Sequence, residues 1–354
     1  MDRSKEIGFG ILGLGMIAEF HFRAIAEIGG CRFAAGFDTV PGRAAEFCKK
    51  HGGRAYDNLD AFLSDRDIDI VTIATPSGLH LDGAVAAARA GKHIIVEKPL
   101  EISRARCDTI IAEAEAAGVK AGVVFPSRYH GPSKIIKKAI EGGRLGTIVL
   151  ADAQIKWYRS QEYYDSGKWR GTWQFDGGGA LMNQGIHAID LLQWFMGDVS
   201  EVSAQTATLA HERIEVEDTA AAVLKFANGA VGVIEGTTAA WPGFLKKIEI
   251  CGSKGSIIME EESITTWKFA EELPEDGDIR KRYGGATATG GGAADPAAIG
   301  HHGHKMLFES FVQALREDQP PDIDGVEGRK AVEIIEAIYR SAKSRAPVAL
   351  PLKA

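Results

Sequence analysis

Apolar residues in the first 125 positions fall into short, nearly unbroken runs, separated by stretches with helical spacing. The runs at 7–12, 32–37, 68–74, 93–96 and 120–125 have the length of strands and little alternation, which suits strands covered on both faces of a parallel sheet. Between them, 18–28, 42–51, 80–90 and 103–117 have the length of crossover helices. This order predicts an α/β doubly wound Rossmann domain over residues 1–126. After Phe125 the pattern changes. A helix over 132–141 and a glycine-rich turn lead into longer strand-like segments at 147–158, 199–209, 219–226, 230–239, 246–251 and 256–260. Asn228-Gly229 between apolar runs is a hairpin signal. Helices are expected over 180–196, 305–316 and 326–344. Residues 127–354 therefore read as an α+β domain with a mostly antiparallel sheet. The segment 271–300, rich in Gly and Ala, has no clean period and reads as a mobile loop, a candidate lid. No internal repeat is found.

The first strand runs directly into Gly13-Leu14-Gly15-Met16-Ile17-Ala18. Gly13 permits a tight bend, Gly15 permits close approach of a pyrophosphate, and Ala18 takes the small position where helix and strand touch. Free N–H groups at the helix start, around Met16 and Ile17, would face phosphate. Asp38 ends the second strand, at the distance where a carboxylate grips ribose hydroxyls. A 2′-phosphate would meet that charge, so NAD is the expected cofactor; Arg43 nearby keeps NADP as the alternative. Ligands of such sheets sit beyond the C-terminal strand ends, which directs attention to Thr75-Pro76-Ser77 and Glu97-Lys98-Pro99.

The chain has 354 residues, enough for two cores, and a formal net charge of −7 with no long basic run, which argues against nucleic acid as a partner. No signal-type apolar core or membrane-length run is found, so a cytoplasmic location without membrane contact is expected. Cys31, Cys48, Cys107 and Cys251 lack metal-type or redox-type spacing and read as reduced thiols.

Two clusters could carry chemistry. Lys98, emerging from a buried strand, can bond a substrate hydroxyl and stabilise developing alkoxide, with Glu97 offsetting its charge and Pro99 holding it extended. The alternative is a solvated surface pair. The second cluster runs from Asp176 through Gly177-Gly178-Gly179 to Asn183, His187 and Asp190. The glycines allow close backbone approach to a ligand or to the other domain, and Asn183 and His187 share a helical face. His187 is a candidate proton-transfer group, Asn183 a partner for substrate or imidazole, and Asp190 a selector of its tautomer. A core histidine tied to Asp190 is the bland alternative. Ahead of the glycines, Lys156-Trp157-Tyr158-Arg159, Tyr163-Tyr164, Trp169-Arg170 and Trp173 could meet the C–H faces and anionic groups of a sugar or nucleotide sugar, or simply pack the sheet or a subunit contact. His301-His302-Gly303-His304 has no carboxylate or Cys beside it, so no metal is expected; His304 is a candidate for the substrate cleft.

The nucleotide turn followed by His21, the Glu97-Lys98-Pro99 tripeptide and the triple glycine leading to His187 together resemble the Gfo/Idh/MocA family of NAD(P)-dependent oxidoreductases, over nearly the whole chain. The resemblance implies a dehydrogenase acting on CH–OH groups of sugars, cyclitols or their derivatives. It also implies that the mostly antiparallel sheet of residues 127–354 is large and open and that this domain serves substrate binding and oligomerisation. It makes Lys98 the holder of the reacting hydroxyl and His187 the acid/base. Cofactor contacts are implied at Gly13, Gly15, Asp38, Thr75, His80 and Glu97, with Met16, Ile17, Pro76 and Lys98 beside them. Tyr158, Trp169, Arg170, Asn183, His187 and His304 join Lys98 as substrate contacts. Cyclitol dehydrogenases of the family usually carry aspartate where this chain has Asn183, and a neutral amide cannot take a proton. Within such folds the alternatives are an NAD-retaining glycosidase or sugar–sugar oxidoreductase, and a cofactor-sensing regulator. The wide sheet also predicts a homodimer or homotetramer.

Overall fold

The computed structural model describes residues 6–285 and 300–353. The chain divides into two compact units, one formed by Met1–Pro126 with Gly300–Arg329, the other by Ser127–Ile299 with Lys330–Ala354.

The first unit is built on strands β1 (Ile7–Leu12), β2 (Cys31–Phe37), β3 (Arg54–Tyr56), β4 (Ile70–Ile73), β5 (His93–Val96) and β6 (Ala121–Val123). They form a parallel sheet of order β3-β2-β1-β4-β5-β6, which is the doubly wound arrangement expected of unbroken apolar strands alternating with helices. β1, β4 and the last three residues of β5 are buried along their length. The short edge strand β3 was not expected.

Residues 300–329 return to this unit, which differs from a continuous second domain over 127–354. The helix His302–Arg316 is amphipathic and buries Leu307, Phe308, Phe311 and Val312. Phe308 stacks on Phe9 of β1 at 6.0 Å between centroids. A Cβ on Gly122 of β6 would lie 2.8 Å from the Phe311 ring, so the glycine is what lets this helix close in. The Val123 N–H then donates to the Ile323 carbonyl at 3.0 Å.

The second unit is built on β7 (Ile148–Lys156), β8 (Val199–Ala207), β9 (Thr219–Phe226), β10 (Val231–Thr237), β11 (Lys247–Gly252), β12 (Gly255–Glu260), β13 (Ser263–Phe269) and β14 (Val348–Ala349). Their order is β13-β12-β11-β7-β10-β9-β8-β14, antiparallel except for the β7–β10 pair. Alternation assigns the faces. Ala151, Ala153 and Ile155 of β7, with Ala220, Ala222 and Leu224 of β9, are buried, whereas Leu150, Val223 and Val231 are exposed. Asn228-Gly229 makes the expected hairpin turn, with Gly229 at φ +91°.

The loop reading of 271–300 needs correction in its first half, where Asp276–Tyr283 is helical; residues 286–299 lie outside the described structure. This helix has no apolar stripe to reveal it. Asp276 anchors it instead, accepting Arg144 at 2.6 and 2.7 Å, Trp267 Nε1 at 2.6 Å and the Leu273 N–H at 2.7 Å. Among the described residues no helix is long and apolar enough to cross a membrane.

Candidate active site

The first unit carries the nucleotide turn. Gly13 sits at φ +91°, and a Cβ there would come within 2.8 Å of the backbone of Ala74 and Thr75, so only glycine fits. Around a Cβ at Gly15 nothing lies within 4 Å, which leaves open space in front of the helix Met16–Ala26. Gly15 caps that helix in an extended conformation without a side-chain bond. The N–H groups of Met16 and Ile17 therefore form an anion-favouring end, while Ala18 is fully buried against the sheet. Thr75 Oγ1, past the end of β4, is buried without a hydrogen-bond partner among the described residues. An open cradle and an orphaned hydroxyl at the strand ends fit a bound dinucleotide.

Asp38 has partners within the protein. Its carboxylate accepts the Leu14 N–H at 2.7 Å and the Val40 N–H at 2.8 Å, which fastens the turn to the end of β2. Arg43 Nη1 lies 3.2 Å from the same carboxylate. Pro76 precedes the short turn Ser77–Leu79. His80 spans two loops, its ring nitrogens 2.8 Å from the Pro99 carbonyl and 3.0 Å from the Thr75 carbonyl. Burial pushes its pKa down against those carbonyls, so the neutral ring donates to one of the two.

Glu97 ends β5 within a cage. His21 Nε2 lies 2.8 Å and His304 Nε2 3.4 Å from its Oε1, while Oε2 takes the Lys98 N–H at 3.0 Å. Both histidines are buried, and the Nδ1 of each has no partner among the described residues. These ligand atoms converge within 4.8 Å, as they would around a metal ion. Metal ligation through Nε2 would, however, leave each Nδ1–H a buried donor with no acceptor, which is the costlier alternative. Neutral rings that donate from Nε2 to Glu97 leave only bare acceptors at Nδ1. Burial pushes the His21 pKa down, in keeping with that neutral form. Burial alone would raise Glu97, but the bonds from His21 and His304 reverse this and hold its carboxyl well below the usual range. Lys98, half-buried and joined to Pro99 by a cis peptide bond, follows this anchored carboxylate. His304 thus appears beside Glu97 inside the first unit, a position that its own sequence neighbourhood does not signal.

In the second unit the expected helix over 180–196 begins as a π-helical turn, Ala180–Gly185, and continues as the α-helix Ile186–Met196. Such turns concentrate at functional sites. Asn183 and His187 are half-buried positions flanked by buried Met182, Gln184, Ile186 and Ala188. Asn183 Nδ2 donates to Asp176 Oδ1 at 2.6 Å. Gln184 Nε2 reaches Asn183 Oδ1 at 3.3 Å and the Tyr163 hydroxyl at 2.9 Å, and Gln184 Oε1 accepts Arg159 at 2.8 Å. Arg170 donates to the Tyr163 hydroxyl at 2.6 Å, its guanidinium 4.2 Å from the Tyr163 ring centre and 4.5 Å from that of Trp169. Asp190 takes a two-pronged bond from Arg128, at 2.9 and 2.7 Å. Tyr158 bridges to Ala239 and meets Trp241 edge-on at 5.0 Å.

Sequence reasoning gave Asp176, Gln184 and Glu217 no role. Asp176 is 2% exposed and accepts the Gly171 N–H as well as Asn183. A buried acid seven residues ahead of a polar helix position is a signal only once the intervening glycines are known to fold back.

Known proteins resemble this chain along its length. Residues 7–125 match the profile of the oxidoreductase family with an NAD-binding Rossmann fold, and residues 134–258 match the GFO/IDH/MocA C-terminal domain. The WlbA dehydrogenase from Bordetella pertussis, solved with NADH and UDP-GlcNAcA, is 36% identical, with 99% of each chain covered and a TM-score of 0.89. Its counterpart from Chromobacterium violaceum, solved with the same two ligands, is 33% identical, covering 100% of this chain and 98% of that one, with a TM-score of 0.90. Among curated proteins, myo-inositol 2-dehydrogenase of Thermotoga maritima is 26% identical over 353 residues, covering 96% of this chain and 98% of its own. The chain belongs to the Gfo/Idh/MocA family of oxidoreductases, with an NAD-binding Rossmann fold.

Proposed function

We propose that this chain uses NAD+ to oxidise a secondary hydroxyl of a sugar that bears an anionic group, of the nucleotide-linked hexuronate class represented by UDP-GlcNAcA. The observation that carries the reading is Arg170, a cation with no carboxylate partner among the described residues, pinned between Tyr163 and Trp169. A guanidinium held by ring faces and one hydroxyl keeps its remaining edge for bidentate capture of carboxylate or phosphate. Inositol, the substrate in the name of the Thermotoga relative, offers no such group. The dependence on a uronate is supported further by the two relatives solved with UDP-GlcNAcA, which stand above the inositol enzyme in identity.

The nicotinamide, when bound, supplies the hydride acceptor. Gly13, Gly15, Met16, Ile17, Asp38 and Thr75 would hold its dinucleotide. Lys98 bonds the reacting hydroxyl oxygen and steadies the negative charge that grows there, while Glu97 offsets the lysine charge. His187 takes the hydroxyl proton as the C–H bond gives up its hydride, leaving a ketone. Asn183, tied to the carboxylate of Asp176, orients substrate without exchanging a proton. His304 supports Glu97 and is assigned no substrate contact.

A panel of UDP-GlcNAcA, UDP-GlcNAc, myo-inositol and levoglucosan, read by NADH absorbance with NAD+ as cosubstrate, tests the assignment. UDP-GlcNAcA should give the highest kcat/KM, and Arg170→Met should raise its KM by about tenfold or more while NADH binding is unchanged. Faster turnover of myo-inositol than of UDP-GlcNAcA would refute the uronate reading. An equal effect of Arg170→Met on UDP-GlcNAc would move the contact from carboxylate to diphosphate. Consumption of sugar with no net NADH would point to a retained cofactor. The exposed apolar positions Leu150, Val223 and Val231 on the open sheet face lead us to propose a second copy as its cover. Light scattering should then report a dimer or larger assembly, and monomer at micromolar concentration counts against it.

A further inference from the structure

The triple glycine invites a simple account in which it clears space for a ligand, but its neighbours within the second unit explain it otherwise. A Cβ on Gly179 would lie 1.9 Å from the Glu217 carbonyl oxygen, and one on Gly178 would lie 2.1 Å from the Tyr339 hydroxyl. The glycines are small because Glu217 and Tyr339 press against them. Glu217 is 4% exposed, and its carboxylate grips the start of the turn with both oxygens. Oε2 accepts the Gly179 N–H at 2.9 Å, Oε1 accepts the Leu181 N–H at 2.9 Å, and the Glu217 carbonyl accepts the Ala180 N–H at 3.0 Å. The Tyr339 hydroxyl donates to Oε1 at 2.9 Å, while its ring meets Trp173 edge-on at 5.2 Å. The first N–H groups of a helix lack intrahelical acceptors, and here one residue, Glu217, supplies them with its carboxylate and its carbonyl.

We infer that Glu217, hooked by Tyr339, is a positioning pair for the reaction: it fixes the π-helical turn that carries Asn183 and sets the direction in which His187 leaves that turn. A π-turn is the less stable form of helix, so an external clamp is what keeps it from relaxing to α-helical winding. Relaxation would rotate Asn183 and His187 relative to one another, and misplacement by about 1 Å can cost a hundredfold in rate. Neither Glu217 nor Tyr339 needs to touch substrate. The inference rests on the assignment of His187 as acid/base.

The test compares Tyr339→Phe, Glu217→Gln, Glu217→Ala and His187→Asn in the full chain, with NAD+ and UDP-GlcNAcA, or myo-inositol if the panel prefers it. Tyr339→Phe keeps the ring against Trp173 and removes one donor, so it tests the clamp without emptying the core. It should lower kcat by about tenfold, the value of one hydrogen bond to a charged acceptor, with NADH affinity and KM for NAD+ unchanged. Glu217→Ala should fall further, and Glu217→Gln, which retains one acceptor oxygen, should recover part of the loss. The His187 ring resonance, assigned through His187→Asn, should shift in Tyr339→Phe without any substrate present. Full kcat and an unmoved His187 resonance in Tyr339→Phe and Glu217→Gln, with His187→Asn impaired, would overturn the positioning role alone. A fully active His187→Asn would instead overturn the acid/base assignment, and this inference with it.

Discussion

Two buried glutamates, one in each unit, are linked to the residues proposed to do the chemistry, Glu97 as the chain neighbour of Lys98 and Glu217 as the fastener of the turn that leads to His187, and their ionisation is tuned in opposite directions. Glu97 meets two imidazoles and the Lys98 N–H, and although burial alone would raise it, the bonds from His21 and His304 hold its carboxyl well below the usual range. Glu217 meets two backbone N–H groups and a tyrosine hydroxyl, and there burial wins, pushing its pKa up. Desolvation is common to both, so the partners decide. The difference separates two uses of one residue type: Glu97 is kept charged beneath a lysine, whereas Glu217 serves as a fastener whose value lies in where its oxygens sit.

The sharpest way to break this contrast is to remove the lysine. Lys98→Ala should lower kcat by at least about a hundredfold with NADH affinity little changed, because Lys98 acts on the reacting oxygen. A variant with normal turnover would leave Glu97 charged for no catalytic purpose and return Lys98 to a surface pair.

The glutamates themselves come next. Glu97→Gln should cost about 2–4 kcal/mol at neutral pH, since it takes the charged acceptor from two buried imidazoles. The stabilisation from a lowered carboxyl is present above the unfolded value of about 4.3 and is lost as pH falls through the folded one. The gap in Tm between wild type and Glu97→Gln should therefore narrow below about pH 4. Glu217→Gln should cost only about 1 kcal/mol at pH 7. A raised carboxyl contributes most below its unfolded pKa and loses that contribution as pH rises through the folded pKa, so this gap should widen on acidification. Parallel Tm profiles for the two variants would erase the contrast.

How far the sequence announced these two regions follows from the range of the interactions that build them. Gly13, Gly15 and Asp38 lie within one strand–turn–helix–strand stretch, and their roles follow from spacing alone. The doubly wound sheet was legible for the same reason. The three-residue edge strand Arg54–Tyr56 is too short for any period, and β13 follows the charged run Glu260-Glu261-Glu262, which masks it. An amphipathic pattern over 305–316 says that a face is buried but not which sheet covers it, so the return of Phe308 to Phe9 was not foreseen. The cage around Glu97 needs His21 and His304, and the clamp on the π-turn needs Glu217 and Tyr339, each pair separated by more than a hundred positions. Composition and spacing carry no trace of such meetings. They do carry residues that otherwise lack a reason, such as three successive glycines before a helix.

The smallest effect tests whether desolvation that outweighs its partners behaves as it does at Glu217 when the group lies on the open sheet face. Asp152 on β7 stands opposite Glu249 on β11 and Val233 on β10. Burial raises its carboxyl, and the charges of Glu249 and Glu235 add to this, outweighing a bond from Gln154 at 2.8 Å and the nearby charge of Lys247. Its ionised form is thus a net cost in the folded chain. The sign is that of a raised carboxyl: the favourable contribution exists below the unfolded pKa of about 3.9 and disappears as pH climbs through the folded value. Asp152→Asn removes the charge but keeps the shape and an acceptor for Gln154. It should leave stability at pH 3 nearly unchanged and raise it at pH 7 by up to about 1 kcal/mol, read as a higher Tm. Were a second copy to cover this face, the gain would grow with protein concentration, because a carboxylate is costlier still within an interface. A lower Tm at pH 7 would mean that cationic partners, Lys247 or one across that interface, outweigh its desolvation, and its charge would then belong with that of Glu97.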